Sequence, residues 1–288
     1  MASTGVMDLP TYVLYIFAGL FGLVLGSFLN VCIVRLPHHQ SVVAPRSRCP
    51  QCGHFIGWYD NLPVMSYLIL RGRCRNCRGH ISVVYPAVEL ITAALFIAAF
   101  AEFGPSASFL KAIIFAMLMV VLIFTDFSTR TIPHSVTITG AVLGLILSFF
   151  VPVNDGLVEW ILREAGVVLS GPLSSFVGAV AGALFGAGLL YGVAWCFRRF
   201  GDREKEYLGF GDVMLMLVIG SFLGIPLAYL TILLGSLAGT LVALSFRGLG
   251  KGYAGYQWPY GSFLGAAAIY AIFDGRALIL AYLHWSRL

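Results

Sequence analysis

Eight apolar stretches, separated by short polar or glycine-rich breaks, make up most of the chain: residues 12–34, 85–103, 109–125, 133–150, 174–197, 212–223, 227–246 and 258–273. A helix needs about 20 apolar residues to cross a bilayer. The pattern therefore predicts an all-α polytopic membrane protein with about eight transmembrane helices. Gly19, Gly22 and Gly26 recur at helical spacing in the first stretch, where small residues let another helix approach closely. Gly104-Pro105-Ser106 and Gly224-Ile225-Pro226 read as turns or breaks. The only sizeable polar insertion is 35–83, between the first and second helices. A segment at 156–169 reads as an interfacial helix, and 277–288 as an amphipathic tail. The chain thus divides into a first helix (1–34), a small insertion (35–83) and a transmembrane core (84–288).

Composition sharpens this picture. The 288 residues are 59% hydrophobic and 11% charged, against about 25% charged in a soluble domain. No basic residue precedes the first apolar stretch, whereas a cleaved signal wants a positive start; the first helix is expected to be retained. Of the 18 Lys and Arg residues, 14 fall in 35–78, at Arg130, in 198–205 and at Arg247 and Lys251. The positive-inside rule puts these segments in the cytoplasm, and eight crossings then put both termini outside. This orienting role explains the basic balance without nucleic-acid binding; the partner to expect is the lipid bilayer.

The insertion carries two CxxC knuckles, Cys49-Pro-Gln-Cys52 and Cys74-Arg-Asn-Cys77. Each CxxC turn offers two thiolates to one ion, and four soft ligands close the tetrahedron that zinc prefers. Nearby cations (Arg48, Arg73, Arg75 and Arg78) favour thiolates. Two disulfides or a redox dithiol are the alternatives, disfavoured on a reducing cytoplasmic face. His54 and His80 follow the knuckles but are not needed as ligands. Cys32 and Cys196 fall in helices and read as small core residues.

Gly209-Phe-Gly-Asp212 stands where an apolar stretch begins. An ionisable group entering a bilayer costs roughly 3 kcal/mol or more, which makes it a candidate functional residue in search of a partner. That partner is Asp126, at the end of another apolar stretch. Two carboxylates held close cannot both ionise, and a pair sharing one proton can activate water while protonating a carbonyl. If Gly224-Ile225-Pro226 marks the far face, Asp212 lies only ~18 Å from it, inside a ~30 Å hydrocarbon layer. Both aspartates would then line a shallow cavity open to the cytoplasm. Gly209 and Gly211 would let an extended peptide backbone approach. The plainer reading is that Asp212 caps its helix. Asn30 either lines the same cavity or hydrogen-bonds a neighbouring helix, and Glu89 either lines that cavity or pairs with a basic residue. Asp202, Glu204 and Glu206 read as a solvated loop, His134 as interfacial, and Tyr256, Trp258 and Tyr260 as an aromatic belt.

These residues, taken in order, resemble the type IV prepilin peptidase family, also called prepilin leader peptidase/N-methyltransferase. The matching segments are Gly26-Ser-Phe-Leu-Asn-Val31 with Arg35-Leu-Pro37, Arg48-Cys-Pro-Gln-Cys52, Trp58-Tyr-Asp-Asn-Leu-Pro63 and Arg71-Gly-Arg-Cys-Arg-Asn-Cys77. They continue with Tyr85-Pro86, Glu89-Leu90, Asp126 with Ile132-Pro133, Gly209-Phe-Gly-Asp212 and Pro259-Tyr-Gly261. The resemblance implies an intramembrane aspartyl peptidase of the bacterial inner membrane. Such an enzyme removes the basic leader of prepilins or pseudopilins, after a Gly, and methylates the new N-terminus with S-adenosylmethionine. It carries over Asp126 and Asp212 as the catalytic pair and Cys49, Cys52, Cys74 and Cys77 as ligands of a structural zinc. It names no methyl-donor site on this chain. Three positions depart from the family pattern: Met214 where a Lys is usual, His134 where an Asp is usual, and Ser262 where a Pro is usual. A non-catalytic, zinc-stapled scaffold and a proton-relaying transporter are the rival readings.

Overall fold

The computed structural model describes residues 10–152, 156–200, 209–247 and 258–286. Among them the chain is helical, without strands. The helices are α1 (Thr11–Arg35), α2 (Met65–Ile69), α3 (Val84–Phe103), α4 (Ala107–Thr129), α5 (His134–Phe150), α6 (Gly156–Glu164), α7 (Gly171–Phe200), α8 (Phe210–Arg247) and α9 (Tyr260–Trp285). Six of them are long and apolar enough to cross a membrane, and α5 is a shorter apolar helix of 17 residues. The chain packs as two compact units, Met1–Cys32 with Ser41–Phe109, and Ile33–Gln40 with Leu110–Leu288.

In the first unit α1 packs antiparallel on α3 through its glycines. A Cβ on Gly22 would lie 2.7 Å from the Cα of Ala93, and one on Gly26 2.7 Å from the Cα of Glu89. Gly19, farther back along α1, faces Ile97, farther along α3. Only residues without a side chain allow backbones this close. α3 ends on Gly104 at φ 57°, and the Ser106 hydroxyl accepts the Phe109 N–H at 3.2 Å to start α4, which accounts for the turn expected there.

The second unit is organised around a reversal inside α8. Gly224 leaves the helical region, with φ 76° and ψ −177°, and Pro226 cannot supply an N–H to resume the ladder. Neighbouring helices fix the direction of each arm. The first arm, 210–223, runs opposite to α4, with the Phe222 ring packed at a tilt on that of Phe115, centroids 5.0 Å apart. α9 also runs opposite to α4: Gly265 faces Ile123, and Gly261 faces Asp126. The second arm, 225–247, runs opposite to α9, because Leu227 and Leu230 meet Gly275 while Gly239 meets Phe263. The two arms are therefore antiparallel, a helical hairpin closed at Gly224. α7 packs against the first arm where Gly182 meets Gly220 and Gly224.

A buried polar cluster lies near the closed end of the hairpin. Lys111 Nζ donates to Ser148 Oγ at 3.0 Å and to the Val151 carbonyl at 3.2 Å. Ser148 Oγ donates to the Ser221 carbonyl, and Ser175 Oγ to the Ser148 carbonyl. The bonds to Ser148 and Val151 serve carbonyls at the end of α5 that have no partner within the helix, the bond to Ser221 serves α8 just before its break at Gly224, and a cation there suits the helix dipole.

Two expectations differ. The expected tail does not begin as a separate element at 277: α9 continues through Trp285, because Gly275 is a packing site for Leu227 and Leu230 rather than a break. The interfacial helix is shorter than expected, ending at Glu164. The acids Asp155, Asp202, Glu204 and Glu206, with Lys251 and Tyr256, lie outside the described residues.

Candidate active site

The two aspartates are on antiparallel helices that meet at the Phe115–Phe222 ring contact. From that contact the rise to Asp126 along α4 is ~16 Å, and back to Asp212 along α8 ~15 Å. Equal lengths bring both carboxylates to one level. They are almost wholly buried, with 6% and 9% of their surface exposed. A Cβ built on Gly261 would lie 3.1 Å from Asp126 Oδ2 and 3.1 Å from Asp212 Oδ1. The two oxygens are thus no farther apart than twice that distance, with the start of α9 between them.

Local structure explains the placement. Asp126 is in the last turn of α4, where its carbonyl accepts the Arg130 N–H at 2.9 Å. Asp212 is the third residue of α8, and its N–H donates to the Gly209 carbonyl at 3.1 Å. Gly209 flanks α8 and Asp212 lies within the first turn, where its carboxylate accepts the Gly209 N–H as the acid of a capping box does, so capping is one part of what Asp212 does. An acid in a first turn still benefits from the helix dipole, by about 0.3–1 kcal/mol.

The glycines have distinct surroundings. The space a side chain on Gly209 would fill is open, its nearest neighbour being Asp212 Oδ2 at 3.6 Å. Gly211 is different: a Cβ there would meet Ile132 at 3.0 Å. Its lack of a side chain serves packing against Ile132. The same Ile132 side chain lies 2.8 Å from a Cβ on Gly261, so Ile132 spans both glycine motifs.

Sequence reasoning assigned no role to Gly261 or Ser262. The Ser262 amide donates to Asp126 Oδ2 at 2.7 Å, and its hydroxyl lies 3.0 Å from the same oxygen. The signal was present in Pro259-Tyr-Gly261, which opens α9, but nothing in the order of residues says which helix end α9 meets. Tyr260 is half-buried and shares a 2.9 Å hydrogen bond with Ser236; it belongs to this packing rather than to a belt. Of the other departures, the His134 ring sits 5.9 Å from that of Phe210, and Met214 is half-buried on α8.

Asn30 and Glu89 are both buried in the first unit. Asn30 Nδ2 donates to the Tyr85 carbonyl at 3.0 Å. Glu89 Oε2 accepts the Val64 N–H at 2.7 Å. Val64 holds φ 59°, unfavourable for a β-branched residue, and the carboxylate secures it. Glu89 thereby ties the insertion to α3.

The four cysteines converge. Cys49, Cys52, Cys74 and Cys77 bring their sulfurs within 4.8 Å of one another, and Cys49 and Cys77 Sγ are 3.9 Å apart. A tetrahedral site with 2.3 Å bonds needs sulfurs about 3.8 Å apart, so the set fits one ion. The two knuckles repeat one construction. Each is flanked by a short bridge, Arg48 with Phe55 and Arg73 with His80, and in each the first cysteine N–H is bonded back across the turn, to His54 and Gly79. Neither His54 nor His80 joins the cluster.

Charge in the cluster is uneven. The His54 N–H and the Asn76 amide hold the Cys52 thiol down to about 6. The N–H groups of Cys77 and Asn76 lower Cys74. At Cys77 the Gly79 N–H pulls downward, but desolvation and the three neighbouring sulfurs prevail and push it to about 11. Four thiolates cannot crowd together unaided; a divalent cation removes that conflict. Beside them Arg75 pairs with both oxygens of Asp60, the shortest contact being 2.6 Å, and Arg48 lies over the Phe55 ring at 4.3 Å.

The family model of the Bacterial Peptidase A24 N-terminal domain matches residues 20–103, which hold all four cysteines. That of the Type IV leader peptidase family matches residues 113–244, which hold both aspartates. The chain belongs to the type IV leader peptidase family. It is 31% identical over 297 residues to the prepilin leader peptidase/N-methyltransferase of Burkholderia pseudomallei (strain 1026b), across 94% of this chain and 89% of that one. Identity to the protein of the same description from Bacillus subtilis (strain 168) is 32% over 268 residues, covering 92% and 96%. A relative of that description from Myxococcus xanthus (strain DK1622) is 37% identical over 235 residues; 82% of this chain covers only 63% of that longer protein. No solved structure matches the chain.

Proposed function

We propose that the chain is a membrane-embedded aspartyl peptidase that removes the leader of prepilins or pseudopilins and methylates the exposed amine. The observation that carries the peptidase reading is the proximity of two nearly buried carboxylates, Asp126 and Asp212, on either side of Gly261. One carboxylate, ionised, takes a proton from water as it attacks the scissile carbonyl. The other, protonated, donates to the carbonyl oxygen, and the leaving amine then recovers a proton from the pair. Titration belongs to the pair, and the acid and base roles are not divided between its members. Burial strengthens each of these interactions, because few waters screen them. Gly209, with open space beside it, is where an extended substrate backbone would approach.

The hairpin in α8 supports counting its arms as two crossings, which with α1, α3, α4, α5, α7 and α9 makes eight. With the basic segments inside, the aspartates open toward the cytoplasm, where the basic leader of an inner-membrane substrate lies, and both termini are outside. The division into a first helix, an insertion at 35–83 and a core at 84–288 matches these roles. Cys49, Cys52, Cys74 and Cys77 would hold zinc, which supplies a staple for an insertion too small to bury a core of its own. S-adenosylmethionine would supply the methyl group, and the insertion would serve that second activity.

Incubating the purified protein with a prepilin, with and without S-adenosylmethionine, tests this reading by product mass. The expected products are a leader-free pilin and, with the methyl donor, one heavier by a single methyl group. An uncleaved substrate under both conditions would overturn it.

A further inference from the structure

Ser262 makes a set of contacts with Asp126 that packing alone does not require. It is the third residue of α9, at a helix end whose first N–H groups lack helical partners. Its N–H, 3.1 Å from the Pro259 carbonyl, also points at Asp126 Oδ2, 2.7 Å away. Its hydroxyl oxygen is 3.0 Å from that same Oδ2 and 3.0 Å from the carbonyl of Ile123, one turn earlier on α4. Both residues are buried.

A hydroxyl has one proton to donate and lone pairs with which to accept. When Asp126 is ionised, the hydroxyl donates to Oδ2, beside the amide. When Oδ2 carries a proton, the hydroxyl turns its own proton to the Ile123 carbonyl and accepts from the acid. Either way no buried polar atom loses its partner, so Asp126 changes charge without moving. An alanine or a proline here has no hydroxyl, and proline has no N–H either.

We infer that Ser262 is a positioning residue that holds the Asp126 carboxylate in place through both protonation states of the catalytic pair. This inference rests on the aspartyl peptidase reading. Ser262 touches neither substrate nor water in the scheme; it acts through Asp126. Its role is absent from residues that fill the space without the hydroxyl, which makes the role testable.

The experiment compares wild type, Ser262→Ala and Ser262→Thr as full-length purified proteins. Prepilin cleavage is measured for kcat and KM, and methylation of an already cleaved pilin is measured on the same preparations. Losing one hydrogen bond to a charged group should lower the cleavage kcat of Ser262→Ala about tenfold or more. KM and methylation should stay within about twofold of wild type, since neither uses the hydroxyl. Threonine, which keeps the hydroxyl, should restore most of the lost kcat. Unchanged cleavage in Ser262→Ala would overturn the inference, as would a parallel fall of cleavage and methylation, which reports misfolding rather than positioning. A threonine variant as slow as alanine would overturn it too. If Asp126→Asn cleaves normally, the peptidase reading itself falls, an outcome distinct from any of these.

Discussion

Gly261→Ala tests how tightly the two carboxylates are held. The added methyl would sit 3.1 Å from Asp126 Oδ2, 3.1 Å from Asp212 Oδ1 and 2.8 Å from Ile132 Cδ1. The last contact is too short to persist, but Cδ1 is the free end of a side chain and can swing aside. The fold should therefore lose only about 1–3 kcal/mol, the usual cost of inserting a methyl into a packed interior. The carboxylates have no such freedom: Asp126 Oδ2 is fixed by Ser262, and Asp212 by the first turn of α8. The methyl wedges between them and covers with apolar surface the side of each oxygen that hydrogen-bonded groups would use. Misplacing reacting groups by about 1 Å costs roughly 10²-fold, or about 2.7 kcal/mol in the barrier. Initial rates of prepilin cleavage by wild type and Gly261→Ala, at equal amounts of monodisperse protein in detergent, measure the effect. A variant that unfolds near the wild-type temperature and cleaves within about threefold of wild type would show that the carboxylates are not held this closely.

Three further perturbations probe the rest of the structure. Lys111→Met removes the donor to the Val151 carbonyl, leaving the Ser148 hydroxyl bonded only to Ser221, and should destabilise the protein by about 1–3 kcal/mol, read by thermal unfolding in detergent, with the cleavage rate of the folded protein kept. Gly22→Val forces a branched side chain against the Cα of Ala93 and should cost at least as much, by the same measurement. Zinc should be present at one ion per chain by elemental analysis and be lost in Cys77→Ser, together with methylation. Its affinity should rise from pH 6 to pH 8, because Cys77, near 11, is still protonated across that range and must release its proton to bind, whereas Cys52, at about 6, has largely given up its own; chelator competition at pH 6 and pH 8 reads the sign.

The apolar stretches foretold the helices, and Gly224-Ile225-Pro226 foretold the reversal, because a missing side chain and a missing N–H act locally. The cysteine cluster was equally legible: a CxxC turn fixes two sulfurs within four residues, and two such turns leave little choice. The extent of α9 was not legible, since Gly275 and Arg276 read as punctuation until Leu227 and Leu230 are placed against the glycine. Glu89 and Asn30 could be read either way because two of their partners, the Val64 N–H and the Tyr85 carbonyl, are backbone groups that carry no signature. Ser262 and Gly261 are the sharper case. Neither titrates, and the bond from Ser262 to Asp126 crosses 136 positions of sequence. Their meaning arises only when the start of α9 meets the end of α4.

Everything proposed for the peptidase depends on Asp126 and Asp212 acting as one unit in cleaving a prepilin. Replacing each in turn by asparagine tests this, because asparagine keeps size and hydrogen bonding but cannot exchange the proton. The variants are compared in membranes at wild-type levels. Either change should lower leader removal by about 10²–10⁴-fold, the double change should be scarcely worse than either single one, and zinc content should be unaltered. Leader removal at the wild-type rate by either single variant would contradict a paired mechanism.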